Sequence, residues 1–289
     1  MEAILKSVKL ERGQDLEIIP VGDIHFGSAN CDEKLLSHVI EHIRTNDNAY
    51  WVGMGDYGEF ISHRDKRFLG KAISKQFLTC DSISEIAYKQ YEHLKGLFMP
   101  IKDKCLGLLK GNHEHKVLVN DGLNVTHMMA NALGAPYLGD LALITLRCEY
   151  YSDGIKERSC FFNMYASHGW QAGRDPGGKI NTLRKIFISY PNVDIILTGH
   201  SHDLVAMPFK ANIVSAGRSE LVVVPVVRWG VLTGSFLHGA KQGTENYAES
   251  FGYAPLPNGV AKVIMSFKTS RVHSDRRTKN IKVEYFDVS

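Results

Sequence analysis

The chain is poor in cysteine, and what it has shows no pairing pattern. There are five, Cys31, Cys80, Cys105, Cys148 and Cys160, an odd number with no C-x-x-C spacing. That argues against a disulfide framework and a structural zinc ribbon, and it fits a reducing compartment. The thiols read as small buried apolar side chains. Long apolar runs are missing as well. Nothing approaches the roughly 20 residues that cross a bilayer. The first residues, Met1-Glu2-Ala3-Ile4-Leu5-Lys6, carry no apolar core of signal-peptide length. The expectation is a cytoplasmic protein with no membrane partner. Charge of one sign is also scarce. With 34 Lys and Arg against 31 Asp and Glu, the formal net charge is +3, too mild to argue for nucleic acid by itself. No repeat, low-complexity tract or linker divides the 289 residues. One domain over 1–289 is the simplest reading, with a motif-bearing core over 16–205 and C-terminal strands over 206–289 completing a second sheet.

What the chain does have is a series of short apolar runs that stop in polar clusters. Residues 16–21 read as a strand and run into Gly22-Asp23-Ile24-His25. On extended chain Asp23 and His25, two apart, would share a face. Residues 49–54 are a second buried strand, ending in Gly55-Asp56-Tyr57-Gly58-Glu59. Residues 105–109 are a third, leading into Lys110-Gly111-Asn112-His113-Glu114-His115. A hairpin over 141–148 and 159–165, turning at Asp153-Gly154, delivers His168. Residues 193–197 end in Thr198-Gly199-His200-Ser201-His202. Helical spacing covers 32–43, 82–98 and 117–133, with a shorter helix over 181–188. Further β-like runs occupy 204–209, 219–227, 230–236, 260–267 and 281–286. His38 and His42 lie one helical turn apart, but no H-E-x-x-H arrangement surrounds them, so they read as surface residues.

Five strand ends thus carry candidate ligands, and open α/β sheets place their sites at such ends. Gathered on one rim, they would supply two carboxylates (Asp23, Asp56), one amide (Asn112) and four imidazoles (His25, His168, His200, His202). Nitrogen and oxygen donors without thiolate suit manganese, iron or zinc. Seven ligands exceed one tetrahedral site. They fit two cations roughly 3.5–4 Å apart, the arrangement that clamps the attacking and leaving oxygens of a phosphoryl group.

Asp23-x-His25, Gly55-Asp56, Gly111-Asn112-His113-Glu114, His168 and Gly199-His200-x-His202 together resemble the calcineurin-like metallophosphoesterases, with all five blocks in order. The resemblance implies an α/β fold, a four-layer α/β/β/α sandwich of two mixed sheets flanked by helices. It also implies two divalent metals in the cleft, manganese first, with iron, zinc or nickel as alternatives. Block by block, one metal would be held by Asp23, His25 and His202 and the other by Asn112, His168 and His200, with Asp56 bridging. A hydroxide between the metals would be the nucleophile, and His113 the general acid. Glu59 resembles the acid that pairs with the catalytic histidine in the serine/threonine phosphatase branch, which implies that its carboxylate orients His113. Phe60, where that branch has a phosphate-binding Arg, departs from it. Gly199-His200-Ser201-His202 is closer to the nuclease and nucleotide-phosphodiesterase branches.

For the substrate, the candidate contacts are His63, Arg64 and Arg67 in a charged stretch over 61–75, and Arg174 and Lys179 in a Gly-rich loop over 171–179. The basic tail, Lys268, Arg271, His273, Arg276, Arg277, Lys279 and Lys282, could follow a phosphate backbone. It lacks interleaved aromatics, and a solvated hairpin is the simpler reading. The leading expectation is a phosphodiesterase on nucleotides, DNA or RNA, with nuclease activity included. The alternatives are a phosphomonoesterase on phosphoprotein or small phosphates, and a non-catalytic binding scaffold.

Overall fold

The computed structural model describes residues 1–60, 74, 83–169, 176–216, 221–239, 258–269 and 277–287. Its strands are β1 (Glu2–Glu11), β2 (Leu16–Gly22), β3 (Ala49–Gly55), β4 (Cys105–Leu109), β5 (Tyr137–Gly139), β6 (Leu141–Ser152), β7 (Ile155–Ser167), β8 (Ile195–Thr198), β9 (Leu204–Ala216), β10 (Leu221–Ser235), β11 (Gly259–Thr269) and β12 (Arg277–Asp287). Its helices are α1 (Glu33–Thr45), α2 (Ile83–Phe98), α3 (Asn112–Asp121), α4 (Val125–Leu133) and α5 (Pro176–Ser189). Among the described residues no helix is long and apolar enough to cross a membrane. Cys31, Cys105, Cys148 and Cys160 are buried; Cys80 lies outside the described residues.

The fold is mixed α/β. The strands form one hydrogen-bonded path, β1-β6-β7-β8-β10-β11-β2-β3-β4-β5, with β9 beside β10 and β12 beside β11. Two separate sheets were the expectation. Here the two halves are joined by β10 and β11, through Gly234 with Val260 and Ser235 with Gly259. One apolar cluster draws on both halves. It includes Val8, Leu10, Ile144, Leu146 and Leu197 from one, and Ile18, Val52, Leu106 and Val263 from the other. A second cluster packs α1, α2 and α4 against Ile19 and Trp51. A third packs Leu183 and Phe187 of α5 against Tyr165, Ile196 and Leu232. Each fully buried Leu or Ile contributes about 1.5–3 kcal/mol.

Local chemistry accounts for most of the elements. In α1 the buried residues Leu35, Leu36, Val39, Ile40 and Ile43 recur at helical spacing. Asp32 caps the helix, its Oδ1 accepting from the Lys34 and Leu35 amides at 3.1 and 2.9 Å. The predicted single helix over 117–133 is two helices. Gly122 adopts φ +68°, and the Asn124 side chain caps α4 by accepting from the His127 amide. Strand β1 escaped the sequence reading, although Val8 and Leu10 are buried and their neighbours Lys9 and Glu11 exposed. It pairs in parallel with β6. Likewise β10 runs unbroken through Arg228-Trp229-Gly230, where two runs were read.

Candidate metal centre

Five strands lead to the site. Strands β2, β3 and β4 are mutually parallel, and so are β7 and β8. Within each group the C-terminal ends therefore reach the same edge. Asp23 follows β2, Asp56 follows β3, Asn112 and His113 open α3 after β4, His168 follows β7, and His200 follows β8. Asp23, His25 and Asp56 are almost fully buried, as are His113 and His168.

The backbone here is not extended, as the two-residue spacing of Asp23 and His25 had suggested. Asp23, His25, Asp56, His200 and His202 all adopt positive φ, between 49 and 68°. Such torsions cost an L-residue on the order of 1–3 kcal/mol each, and they collect at functional sites. Glycine permits the close approach of the strand ends. A Cβ on Gly111 would meet the amide nitrogen and Oδ1 of Asp56 at 2.2 Å each. Gly111 itself is extended, with φ −92° and ψ 178°, so space and not torsion demands glycine there.

The donors fall into groups. Ligand atoms of Asp23, His25 and His202 lie within 4.8 Å of one another, and so do those of Asp56, His168 and His200. The Nε2 atoms of His25 and His202 face each other at 3.2 Å. Asp23 Oδ2 accepts from the His200 amide at 2.8 Å. Its Oδ1 is buried without a hydrogen-bond donor, 3.4 Å from His202 Nε2. Asp56 Oδ2 sits 3.4 Å from His168 Nε2 and 3.9 Å from His25 Nε2, between the two groups. Its Oδ1 accepts from the His113 amide at 2.9 Å. Asn112 Oδ1 is 3.0 Å from His168 Nε2, while His168 Nδ1–H donates to the Met54 carbonyl at 2.8 Å. That bond leaves Nε2 pointing at the cluster.

These residues fit divalent cations. A buried carboxylate oxygen without a donor costs about 1–3 kcal/mol, which a cation at Asp23 Oδ1 would offset. Charge points the same way. Burial pushes Asp23 and Asp56 up, yet His202 and His168 hold Asp23 below the usual carboxylate range, and His168 and His113 hold Asp56 well below it. Burial also disfavours protonated His25 and His168, but Glu59 raises His25 to about 9 and Asp56 raises His168 to about 10. His200 is lowered, first by burial and then by His168.

Two residues sit differently from expectation. The Glu59 carboxylate meets His25, with Oε2 2.9 Å from Nδ1, and ligand atoms of His25, Glu59 and His113 all lie within 4.8 Å of one another. His113 Nδ1–H donates to the Glu59 main-chain carbonyl at 2.5 Å. Lys179 is not in a loop but in the first turn of α5, buried and paired with Asp203. His63, Arg64, Arg67 and Arg174 lie outside the described residues. In the basic tail, Lys279 pairs with Asp194 and Lys282 with Glu284.

Glu114 supports the site from beneath. Its side chain is buried, and it accepts from the amides of Asp56, Tyr57 and Gly111 at 2.8–2.9 Å. It ties the end of β3 to the start of α3. Burial, followed by the nearby Asp56 charge, pushes its carboxyl up to about 7. The signal available was its position three residues after Gly111, the reach-back place of a capping box.

No protein-family model matches the chain, and no curated protein matches it significantly. Solved structures do. Vps29 from Entamoeba histolytica, complexed with zinc, is 12% identical over 94% of this chain and 99% of its own, with a TM-score of 0.36. A predicted phosphoesterase from Streptococcus pneumoniae is 12% identical over 93% and 99%, with a TM-score of 0.35. Vps29 from Chaetomium thermophilum is 10% identical over 94% and 95%, at 0.33. Superpositions this loose carry no argument about activity. In the motif blocks, and in their convergence on one edge of a mixed sheet, the chain resembles the calcineurin-like metallophosphoesterases.

Proposed function

We propose that the chain is a two-metal phosphoesterase acting on phosphodiesters of nucleotides or nucleic acid. The observation that carries the reading is the position of Asp56 Oδ2, 3.4 Å from His168 and 3.9 Å from His25. It could serve both donor groups at once. Asp23, His25 and His202 would hold one cation, and Asn112, His168 and His200 the other. Bound divalent cations would supply Lewis acidity and a nucleophile at neutral pH. On the same reading the three apolar clusters are the contacts between successive layers of an α/β/β/α sandwich.

The residues do the rest. His113 Nδ1–H is committed to the Glu59 carbonyl, so Nε2 is the atom that exchanges a proton with the leaving oxygen. The ring meets His25 edge-on, with centroids 4.6 Å apart, which keeps it beside the donor cluster. Glu59 and the Met54 carbonyl orient His25 and His168 through their Nδ1 atoms. Burial of most of these groups excludes water and strengthens each electrostatic contact.

Turnover of bis-p-nitrophenyl phosphate against p-nitrophenyl phosphate, with added Mn²⁺, tests the assignment. The expected result is faster turnover of the diester, abolished by His113→Ala. Preference for the monoester would make the protein a phosphomonoesterase. Failure of metal-loaded protein on both would make it a binding scaffold. Single- and double-stranded DNA then decide nuclease activity.

A further inference from the structure

Lys179 and Asp203 are buried titratable groups that the proposed chemistry does not use. Both are more than nine-tenths buried, 6% and 5% exposed. Lys179 Nζ donates to Asp203 Oδ2. Burying an ion pair is a poor way to gain stability, because desolvation offsets most of the attraction. Its place in the fold is more telling. Asp203 follows His202 directly and ends the turn that carries both His200 and His202. Lys179 lies in the first turn of α5, the helix that follows the His168 segment. Asp203 is held at its backbone too, its carbonyl accepting from the Gly234 amide at 2.9 Å.

We propose that Lys179 is a positioning residue, which through Asp203 fixes the His200–His202 turn so that both imidazoles meet their cations. The inference rests on the two-metal reading. It predicts a sign that electrostatics alone would reverse. Lys179→Met removes a positive charge near the cation sites, and by charge alone Mn²⁺ should then bind more tightly. If the pair holds the turn in place, Mn²⁺ should bind more weakly, by about 10- to 100-fold as for other residues that orient ligands.

The test is calorimetric titration of metal-free full-length protein with Mn²⁺, alongside a urea unfolding curve for each variant. Lys179→Met leaves Asp203 buried without its partner and could unfold the protein. The double variant Lys179→Met/Asp203→Leu removes a neutral pair and keeps the volume apolar, so its urea midpoint should stay near wild type. The expected result is weaker Mn²⁺ binding in each folded variant. Wild-type or tighter binding in a folded variant overturns the proposal. A wild-type protein that binds no Mn²⁺ overturns the two-metal reading, and this inference with it.

Discussion

At the scale of single residues, Glu59 shows how a side chain and its own carbonyl can divide a task. Its carboxylate lies on His25 and its carbonyl on His113. Glu59→Gln should therefore weaken Mn²⁺ binding, by about tenfold as for other residues that orient a metal-binding histidine. It should leave the pH dependence that His113 imposes on kcat where it is in wild type, because the carbonyl remains. Mn²⁺ titration together with a kcat–pH profile checks this; a shifted profile with unchanged metal binding would return the carboxylate to His113. The candidate donors were legible in the sequence, because ligand chemistry belongs to the residue type. Which atom of Glu59 meets which histidine was not, since that depends on torsions in a turn with no regular period.

At the scale of elements, glycines at two ends of α3 do different work. Gly122 at its C-terminus has φ +68° and open space around it, whereas Gly111 at its N-terminus is extended and crowded by Asp56. Gly122→Ala should cost about 1–2 kcal/mol of stability through its left-handed torsion and leave metal binding intact. Gly111→Ala should cost about 1–3 kcal/mol by overpacking and also weaken Mn²⁺ binding, because Asp56 must move. Urea unfolding and metal titration of the two variants separate torsion from space; equal metal binding in both would refute the crowding argument. Helices α1 and α2 were legible because amphipathic spacing is local. The break between α3 and α4 was written in Gly122 and Asn124, but apolar periodicity on both sides hid it. Strand β1 was missed because its pairing with β6 spans more than a hundred residues.

At the scale of the whole molecule, the site lies across the joint between the two halves of the strand path. Asp23 and His25 follow β2, His202 follows β8, and β10 and β11 lie between them in strand order. A cation held by all three would cross-brace halves that β10 and β11 join through two residue pairs. Mn²⁺ at a hundred times its Kd should add about 2.7 kcal/mol, or roughly 4–5 °C in Tm for a chain of this length. At a fixed Mn²⁺ concentration the gain should grow with pH. His25 and His168 are raised to about 9 and 10, so in metal-free protein their contribution is full below about 6.5 and fades as pH climbs through 9 and 10. The metal competes for the same lone pairs, so protons oppose it less at higher pH. Thermal melts at pH 6 and 8, with and without Mn²⁺, should show the larger shift at pH 8; an equal or smaller shift would count against these histidines as ligands.

By itself the sequence placed the candidate donors at the ends of apolar strands. Donor type, apolar patterning and turn residues are local properties that need no partner. The tertiary structure alone decided the left-handed backbone at five of the donors, the joining of two expected sheets into one path, the brace by Glu114 and the burial of Lys179 against Asp203. Each of these depends on groups far apart in the chain meeting in space, with burial and close approach setting the energies, and no local pattern records such a meeting.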